Sequence, residues 1–200
     1  MKEQLIVALG REYGSGGREI ARQISERLGI TFYDRNMLDH MFEDEEQRDA
    51  MSRYDEGVKM PFIHRTVRGF SNSVEENLAE MQFEFLRNKA ASGESFVIVG
   101  RCGESVLKGI PGLVSIFVLG DMYQKICRIM EVYKVNEAQA IEKIGRHDRT
   151  RKRYHNNYSE IKWGDSRGYD ITINSSKLGI DNTAEFLYEY ILRRREGGVK

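Results

Sequence analysis

The chain has little of what would place it in an oxidising, metal-built or membrane setting. Only two of its 200 residues are cysteine. Cys102 and Cys127 form no metal or disulfide pattern and read as cytosolic thiols. No apolar run approaches the roughly 20 residues of a membrane span, and the N-terminus has no signal-peptide h-region. An excess of one charge is missing too. Lys+Arg and Asp+Glu both number 31, so nothing pulls the chain globally toward nucleic acid or an anionic membrane. Internal repeats, low-complexity tracts and dividing linkers are also absent. The expectation is a cytoplasmic protein with one domain over residues 1–200, a sizeable core, and neither nucleic-acid nor membrane partners.

What is present is organised around Leu5 to Ala21. Leu5 to Leu9 is a short apolar run that reads as a buried strand, central in a five-stranded, largely parallel sheet. Gly10, Gly14, Gly16 and Gly17 follow, where positive φ carries no steric cost. Ile20, Ala21, Ile24 and Leu28 then recur at helical spacing, with Gly29 as the stop. Strand, glycine turn and helix bring free N–H groups and the positive end of a helix dipole to one point, which suits phosphate. The phosphate-binding candidates are Arg11, Tyr13, Gly14, Ser15, Gly16, Gly17, Arg18 and Glu19. Against GxxxxGK[ST], Gly16 fits the sixth position. Arg11 stands for the first glycine, Gly17 for the lysine and Arg18 for the Ser/Thr. Arg18 or Arg11 is the candidate for the missing cation, bringing a fork instead of a point charge. A glycine turn that serves packing alone is the alternative.

Further along, strands and helices alternate. Thr31 to Tyr33 reads as a strand ending at Asp34-Arg35. Residues 36–68 are polar and irregular, and their acidic run Glu43 to Glu46 reads as a solvated helix face. A long helix opens with a capping box at Ser73 and Glu76, carries Val74, Leu78, Met81 and Phe85 as its stripe, and ends at Gly93. Phe96 to Val99, Leu113 to Leu119 and Tyr169 to Ile173 read as strands. Asp121 caps a helix bearing Met122, Ile126, Ile129 and Tyr133. Asn136 and Gln139 form a capping box on the next helix, and Ala184, Leu187 and Ile191 mark the last. This alternation predicts an α/β fold with ligands beyond the carboxyl ends of parallel strands. Arg146, Arg149 and Arg153 lie three and four residues apart and share one helical face. A lid over a phosphate chain, a solvated surface helix or a local nucleic-acid patch all suit that face. Its place in a phosphate-binding fold favours the lid.

The string Arg11-Glu-Tyr-Gly-Ser-Gly-Gly-Arg-Glu-Ile-Ala21 resembles the loop of the cytidylate kinase-like proteins, and similarity extends along nearly the whole chain. Arg146, Arg149 and Arg153 resemble that family's lid motif, with Thr150 in place of an aspartate. Val99-Gly100-Arg101-Cys102 resembles its Asp-Gly-Arg-Asp element with the arginine kept and both carboxylates lost. Phe32-Tyr33-Asp34-Arg35-Asn36 resembles Tyr-Leu-Asp-Thr-Gly with the hydroxyl replaced. The resemblance implies a P-loop three-layer α/β/α fold with a five-stranded parallel sheet, an acceptor-binding helical region at 36–92 and a helical lid at 145–160. It implies ATP-dependent phosphoryl transfer to a nucleoside monophosphate or related small acceptor. Arg18, Arg101, Arg146, Arg149 and Arg153 are then catalytic, and Asp34, Arg35 and Arg101 bind the acceptor. ATP and Mg2+ are the implied cofactors, with Glu19 and Asp34 as metal candidates. Glu19 also reads as a first-turn dipole partner and Asp34 as a helix N-cap. The lost lysine, Ser/Thr and carboxylates leave a non-catalytic nucleotide-binding protein with the same fold as the alternative.

Overall fold

The computed structural model describes residues 4–38 and 74–196. Its elements run β1 (Ile6–Arg11), α1 (Gly17–Leu28), β2 (Thr31–Asp34), α2 (Val74–Ala91), β3 (Phe96–Val99), α3 (Gly103–Val106), β4 (Leu113–Leu119), α4 (Met122–Tyr133), α5 (Glu137–Tyr158), β5 (Ile171–Asn174) and α6 (Gly179–Glu196). All pairings are parallel and the strand order is β2-β3-β1-β4-β5. β1 is therefore central, with Ile6 opposite both Phe96 and Leu113.

A parallel strand covered on both faces has to be apolar at every position, not at alternate ones. That is why Leu5 to Leu9 contains no polar residue. Its alternation feeds two separate cores. Leu5, Val7 and Leu9 turn to one face, against Ile20, Ala21 and Ile24 of α1 and Ala184, Leu187 and Ile191 of α6. Ile6 and Ala8 turn to the other, against Phe85, Leu86 and Ala90 of α2 and Leu107 beyond α3. Each Ile or Leu so buried is worth about 1.5–3 kcal/mol. The result is a three-layer α/β/α arrangement whose loops at the carboxyl ends of β1, β3 and β4 share one edge.

The capping box of α5 is present, with Asn136 and Gln139 each accepting from the other's backbone N–H. Asp121 stands at the N-cap of α4, but its carboxylate does not cap. It accepts instead from Asn174 Nδ2 at 2.7 Å and Lys177 Nζ at 2.6 Å. The last strand starts two residues later than its apolar run, because Tyr169 closes a 3-10 turn over Ser166–Gly168. Glu43 to Glu46, Ser73 and residues 39–68 of the irregular segment lie outside the described residues. Among the described residues, no helix is long and apolar enough to cross a membrane.

Candidate functional site

The glycine loop leaves β1 at Arg11 and enters α1 at Gly17. Gly14 (φ 85°) and Gly16 (φ 75°) take the left-handed backbone that makes this turn. Within it, Ser15 Oγ donates to Glu12 O at 2.9 Å and accepts from Gly17 N at 3.3 Å. The N–H groups of Gly14, Gly16 and Arg18 have no partner among the described residues. Unpaired donors at a helix N-terminus make an anion cradle.

Gly17 explains what becomes of the missing lysine. A Cβ there would meet Arg11 Cβ at 2.6 Å. A Cβ on Gly100 would run into Arg11 Nη1. The Arg11 side chain is thus threaded between two glycines, over the position a loop lysine would occupy. Arg18 goes elsewhere: its Nε donates to Asp34 Oδ2 at 2.6 Å, and its side chain is 62% exposed. Of the two candidate cations, the structure places Arg11 inside the site and engages Arg18 at its rim.

Two further guanidinium groups approach Arg11. Arg101 follows β3 on a strained turn, where Gly100, Arg101 and Cys102 all have positive φ (80°, 55° and 52°). Non-glycine residues held this way cost about 1–3 kcal/mol each and tend to mark functional sites. Arg101 Nη1 donates to Gln82 Oε1 at 3.1 Å, and its guanidinium lies 4.2 Å over the Tyr154 ring. Arg151 of α5 donates from Nη1 to Arg11 O at 3.1 Å. Burial, then Arg151 and Arg101, push the Arg11 guanidinium well below its ordinary pKa. Arg11 Nε is buried with no hydrogen-bond partner.

These groups line a cavity of about 270 Å³ together with Arg35, Glu104, Arg153, Tyr154 and His155. Arg146 and Arg149 are exposed and do not line it. The expected clamp of Arg146, Arg149 and Arg153 is therefore not assembled; only Arg153 reaches the cavity. The reason is the rotation of α5. Ala140 and Ile144 are buried against α4, which turns Arg151, Tyr154, His155 and Tyr158 inward and Arg146 and Arg149 to solvent. Arg151 and Tyr154 were not singled out in the sequence, although they sit at helical spacing with His155 and Tyr158.

The same helix is bolted to the glycine loop. Tyr13 N donates to Asp148 Oδ1 at 2.7 Å, and the Tyr13 and His147 rings stack at 4.2 Å. Lys125 of α4, only 4% exposed, donates to Glu12 Oε2 at 3.0 Å and Asp148 Oδ2 at 3.2 Å. Glu12 Oε2 also accepts from Gly120 N at 3.2 Å. Loop, α4 and α5 are thereby one unit. The signal for Lys125 was its position inside an apolar stripe, beside Met122, Ile126 and Ile129. Burial, then Arg151, Arg146 and Lys143, hold the His147 pKa down against a smaller opposing pull from Asp148. The unfolded chain thus binds a proton the folded one refuses, so stability falls as pH drops through the ordinary histidine value of 6.5. The melting midpoint is expected to fall from about pH 7.5 to about pH 5.5. His147→Phe, which keeps the ring stack, should flatten that fall. Equal slopes in the two proteins would remove His147 from the docking contact.

The carboxylates around the loop are each engaged by a cation. Glu19 accepts from Arg128 Nη2 at 2.9 Å. Asp34 accepts from Arg18 and, at 3.0 Å, from Met37 N, where it caps the helical turn beginning at Arg35. Glu12 and Asp148 share Lys125. Among the described residues, no three His, Cys, Asp or Glu side chains cluster as metal ligands do. A second cavity of about 350 Å³ is lined by Gly14, Ser15, Gln124, Arg128, Ser175 and Ile180 among others. The loop therefore contributes to both cavities, with Gly10 and Arg11 lining the one with converging guanidinium groups and Gly14 and Ser15 lining the other.

Known proteins agree with this frame. A cytidylate kinase of Methanococcus vannielii is 25% identical over 179 residues, covering 88% of this chain and 92% of that protein. The crystal structure of an uncharacterized protein from Eubacterium ventriosum is 38% identical, with a TM-score of 0.75, and covers 96% of this chain and 100% of its own. A gluconokinase from Sinorhizobium meliloti superposes with a TM-score of 0.54 at 16% identity, covering 98% and 95% of the two chains, a likeness of fold alone. The cytidylate kinase-like family model matches residues 6–177, and the chain belongs to that family.

Proposed function

We propose that the protein transfers the γ-phosphoryl group of ATP to a small acceptor of the nucleoside monophosphate class or a related anionic compound. The observation that carries this reading is the convergence of Arg11, Arg101 and Arg151 on one cavity beside an anion-cradling loop. Like charges brought together and desolvated repel, and an anion between them reverses the sign of that interaction. Phosphoryl transfer asks a protein for positioning and charge neutralisation, with little covalent chemistry. In this reading the cavity beside Arg128 takes the nucleotide, and the N–H groups of Gly14, Gly16 and Arg18 hold its phosphates. Arg11 and Arg151 neutralise charge on the transferring group, while Arg35, Arg101 and Arg153 hold the acceptor. Magnesium enters no step here, because each loop carboxylate is already ion-paired.

The paired carboxylates favour one competing reading, a nucleotide-binding protein without catalysis. Thermal shift with ATP, GTP, CTP and CMP, with and without magnesium, followed by ADP release across nucleoside monophosphates and other phosphorylated or carboxylated acceptors, separates the two. ATP at about 100 times its Kd should stabilise by about 2.7 kcal/mol. Stabilisation with ADP release supports the kinase. Stabilisation with no ADP release from any acceptor supports the binder, and no stabilisation by any nucleotide sinks both.

A further inference from the structure

Two local costs meet where α3 touches α5, and both bear on Arg101. Positive φ at Arg101 and Cys102 opposes folding at residues that carry a side chain. His155 of α5 is buried with no hydrogen-bond partner for Nδ1, which opposes folding again. Its other nitrogen is committed: His155 Nε2 lies 2.6 Å from Glu104 Oε1, with the two side chains 7% and 6% exposed. Tyr169 OH stands 3.4 Å from the same nitrogen. Glu104 belongs to α3, directly after the Arg101 turn. Ser105 Oγ donates to Glu104 Oε1 at 3.3 Å and lies 2.7 Å from Ser159 Oγ, a second tie between α3 and the end of α5. Cys102 O accepts from Ser105 N and Val106 N, both at 2.8 Å, so turn and α3 are joined without slack. At the start of α3, a Cβ on Gly103 would meet Ile98 Cγ2 at 2.9 Å and Ala8 Cβ at 3.2 Å, so α3 lies tight on the sheet. On α5, His155 follows Arg151 by one helical turn. It also adjoins Tyr154, whose ring lies under the Arg101 guanidinium at 4.2 Å. The His155–Glu104 bond therefore fixes Arg101 relative to Arg151, and both arginines line the same cavity.

We propose that His155 and Glu104 are a positioning pair, whose bond sets Arg101 against Arg151 so that the acceptor and the transferring phosphoryl group are held in line. Neither residue touches substrate in this role; both act through the Arg101 turn. The role rests on phosphoryl transfer in this cavity and names what aligns the acceptor there. Arg151 travels with α5 and Arg101 with the end of β3, so without a tie between them the two arginines shift independently. A misplacement of about 1 Å can cost about 10²-fold in rate. Strained backbone persists only where its surroundings over-determine it, and Gly103, Glu104 and Ser105 supply those constraints. A buried pair that served stability alone would be replaceable by apolar side chains of like volume, often with no loss. Alignment of Arg101 would not survive that replacement, because apolar contacts have no direction.

The test measures ADP release by the full chain with ATP and magnesium on CMP, UMP, AMP and glycerol 3-phosphate, then compares variants on whichever turns over fastest. Glu104→Met/His155→Leu replaces the pair with apolar side chains and leaves no buried charge unpaired. It should melt within a few degrees of the wild type, yet lower kcat/KM for the acceptor by about 10–10²-fold with the KM for ATP unchanged. His155→Gln, whose amide nitrogen can still donate to Glu104, should recover most of that loss. Arg101→Ala lowers the same quantity, and adding the apolar pair to it should lower it little further, since the pair acts only through that arginine. Should the apolar pair fail to fold, Glu104→Asp keeps the charge but shortens the link, and should lower acceptor kcat/KM by about tenfold in the same comparison. Wild-type kcat/KM in a folded variant, or losses that add in the Arg101→Ala background, would overturn the positioning role and leave phosphoryl transfer standing. No ADP release by the wild type on any acceptor would overturn both.

Discussion

Arg151→Ala is expected to lower turnover by about 10³-fold or more while ATP affinity stays nearly intact. Arginines that neutralise charge on a transferring phosphoryl group are worth about 10³–10⁵ in rate, and they act chiefly at the barrier. Arg151 is held for such a role. Its Nη1 is fixed on Arg11 O at 3.1 Å, and its guanidinium lies 5.3 Å from the centre of the Tyr13 ring. Folding should suffer little by comparison. The variant loses a charge-assisted hydrogen bond of about 1.5–3 kcal/mol, but it also relieves repulsion that Arg151 exerts on buried Arg11. Arg149→Ala is the internal control, because Arg149 is exposed and outside the cavity, and it should turn over like the wild type. ADP release on the best acceptor, with a melting curve for each protein, makes the comparison. An equal loss in both variants would return the clamp to the exposed face of α5, and wild-type turnover in Arg151→Ala would remove it from the site.

The largest effect on stability is expected at Lys125, a residue no loop motif points to. Lys125→Met keeps the length of the buried stem but leaves Glu12 and Asp148 facing the space where the ammonium stood. Removing one partner of a buried ionic group costs about 3–5 kcal/mol, because the remaining charge keeps its desolvation and loses its compensation. For a domain of this size that lowers the melting midpoint by roughly 6–20 °C. The sign of the pH dependence is also set. Two close carboxylates without the lysine raise each other's pKa, so the folded variant binds a proton more readily than its unfolded chain. Its deficit against the wild type should shrink as pH falls through the carboxylate range. Glu12→Gln/Lys125→Met should recover part of the loss, a coupling that distant sites do not show. A single variant melting with the wild type would show that the loop does not depend on this lysine.

The residues that were legible in the sequence are those whose neighbours are near in the chain. Leu5 to Leu9 is apolar at every position, which only a strand covered on both faces tolerates, and it is the central strand. Gly14 and Gly16 sit where the turn needs positive φ. Asn136 and Gln139 cap α5 because both partners lie within one helical turn. The family string from Arg11 to Ala21 was legible for the same reason, being one uninterrupted segment.

Convergence was decided elsewhere. Arg11, Arg101 and Arg151 come from two strand ends and a helix, and their meeting depends on the strand order β2-β3-β1-β4-β5, which puts β1 and β3 side by side. Which arginines of Arg146 to Arg153 face inward depends on how α5 is rotated about its axis, since each residue is turned about 100° from the one before it. Spacing shows that Arg146, Arg149 and Arg153 share a face; only the burial of Ala140 and Ile144 against α4 says which way that face looks. Lys125 pairs with Glu12, 113 residues away, and His155 with Glu104, 51 residues away. Local sequence therefore set strand, turn and helix, because those obey periods of two and 3.6 residues. The choice of side chains that share one desolvated space belonged to tertiary structure, because proximity across the fold has no period in the chain.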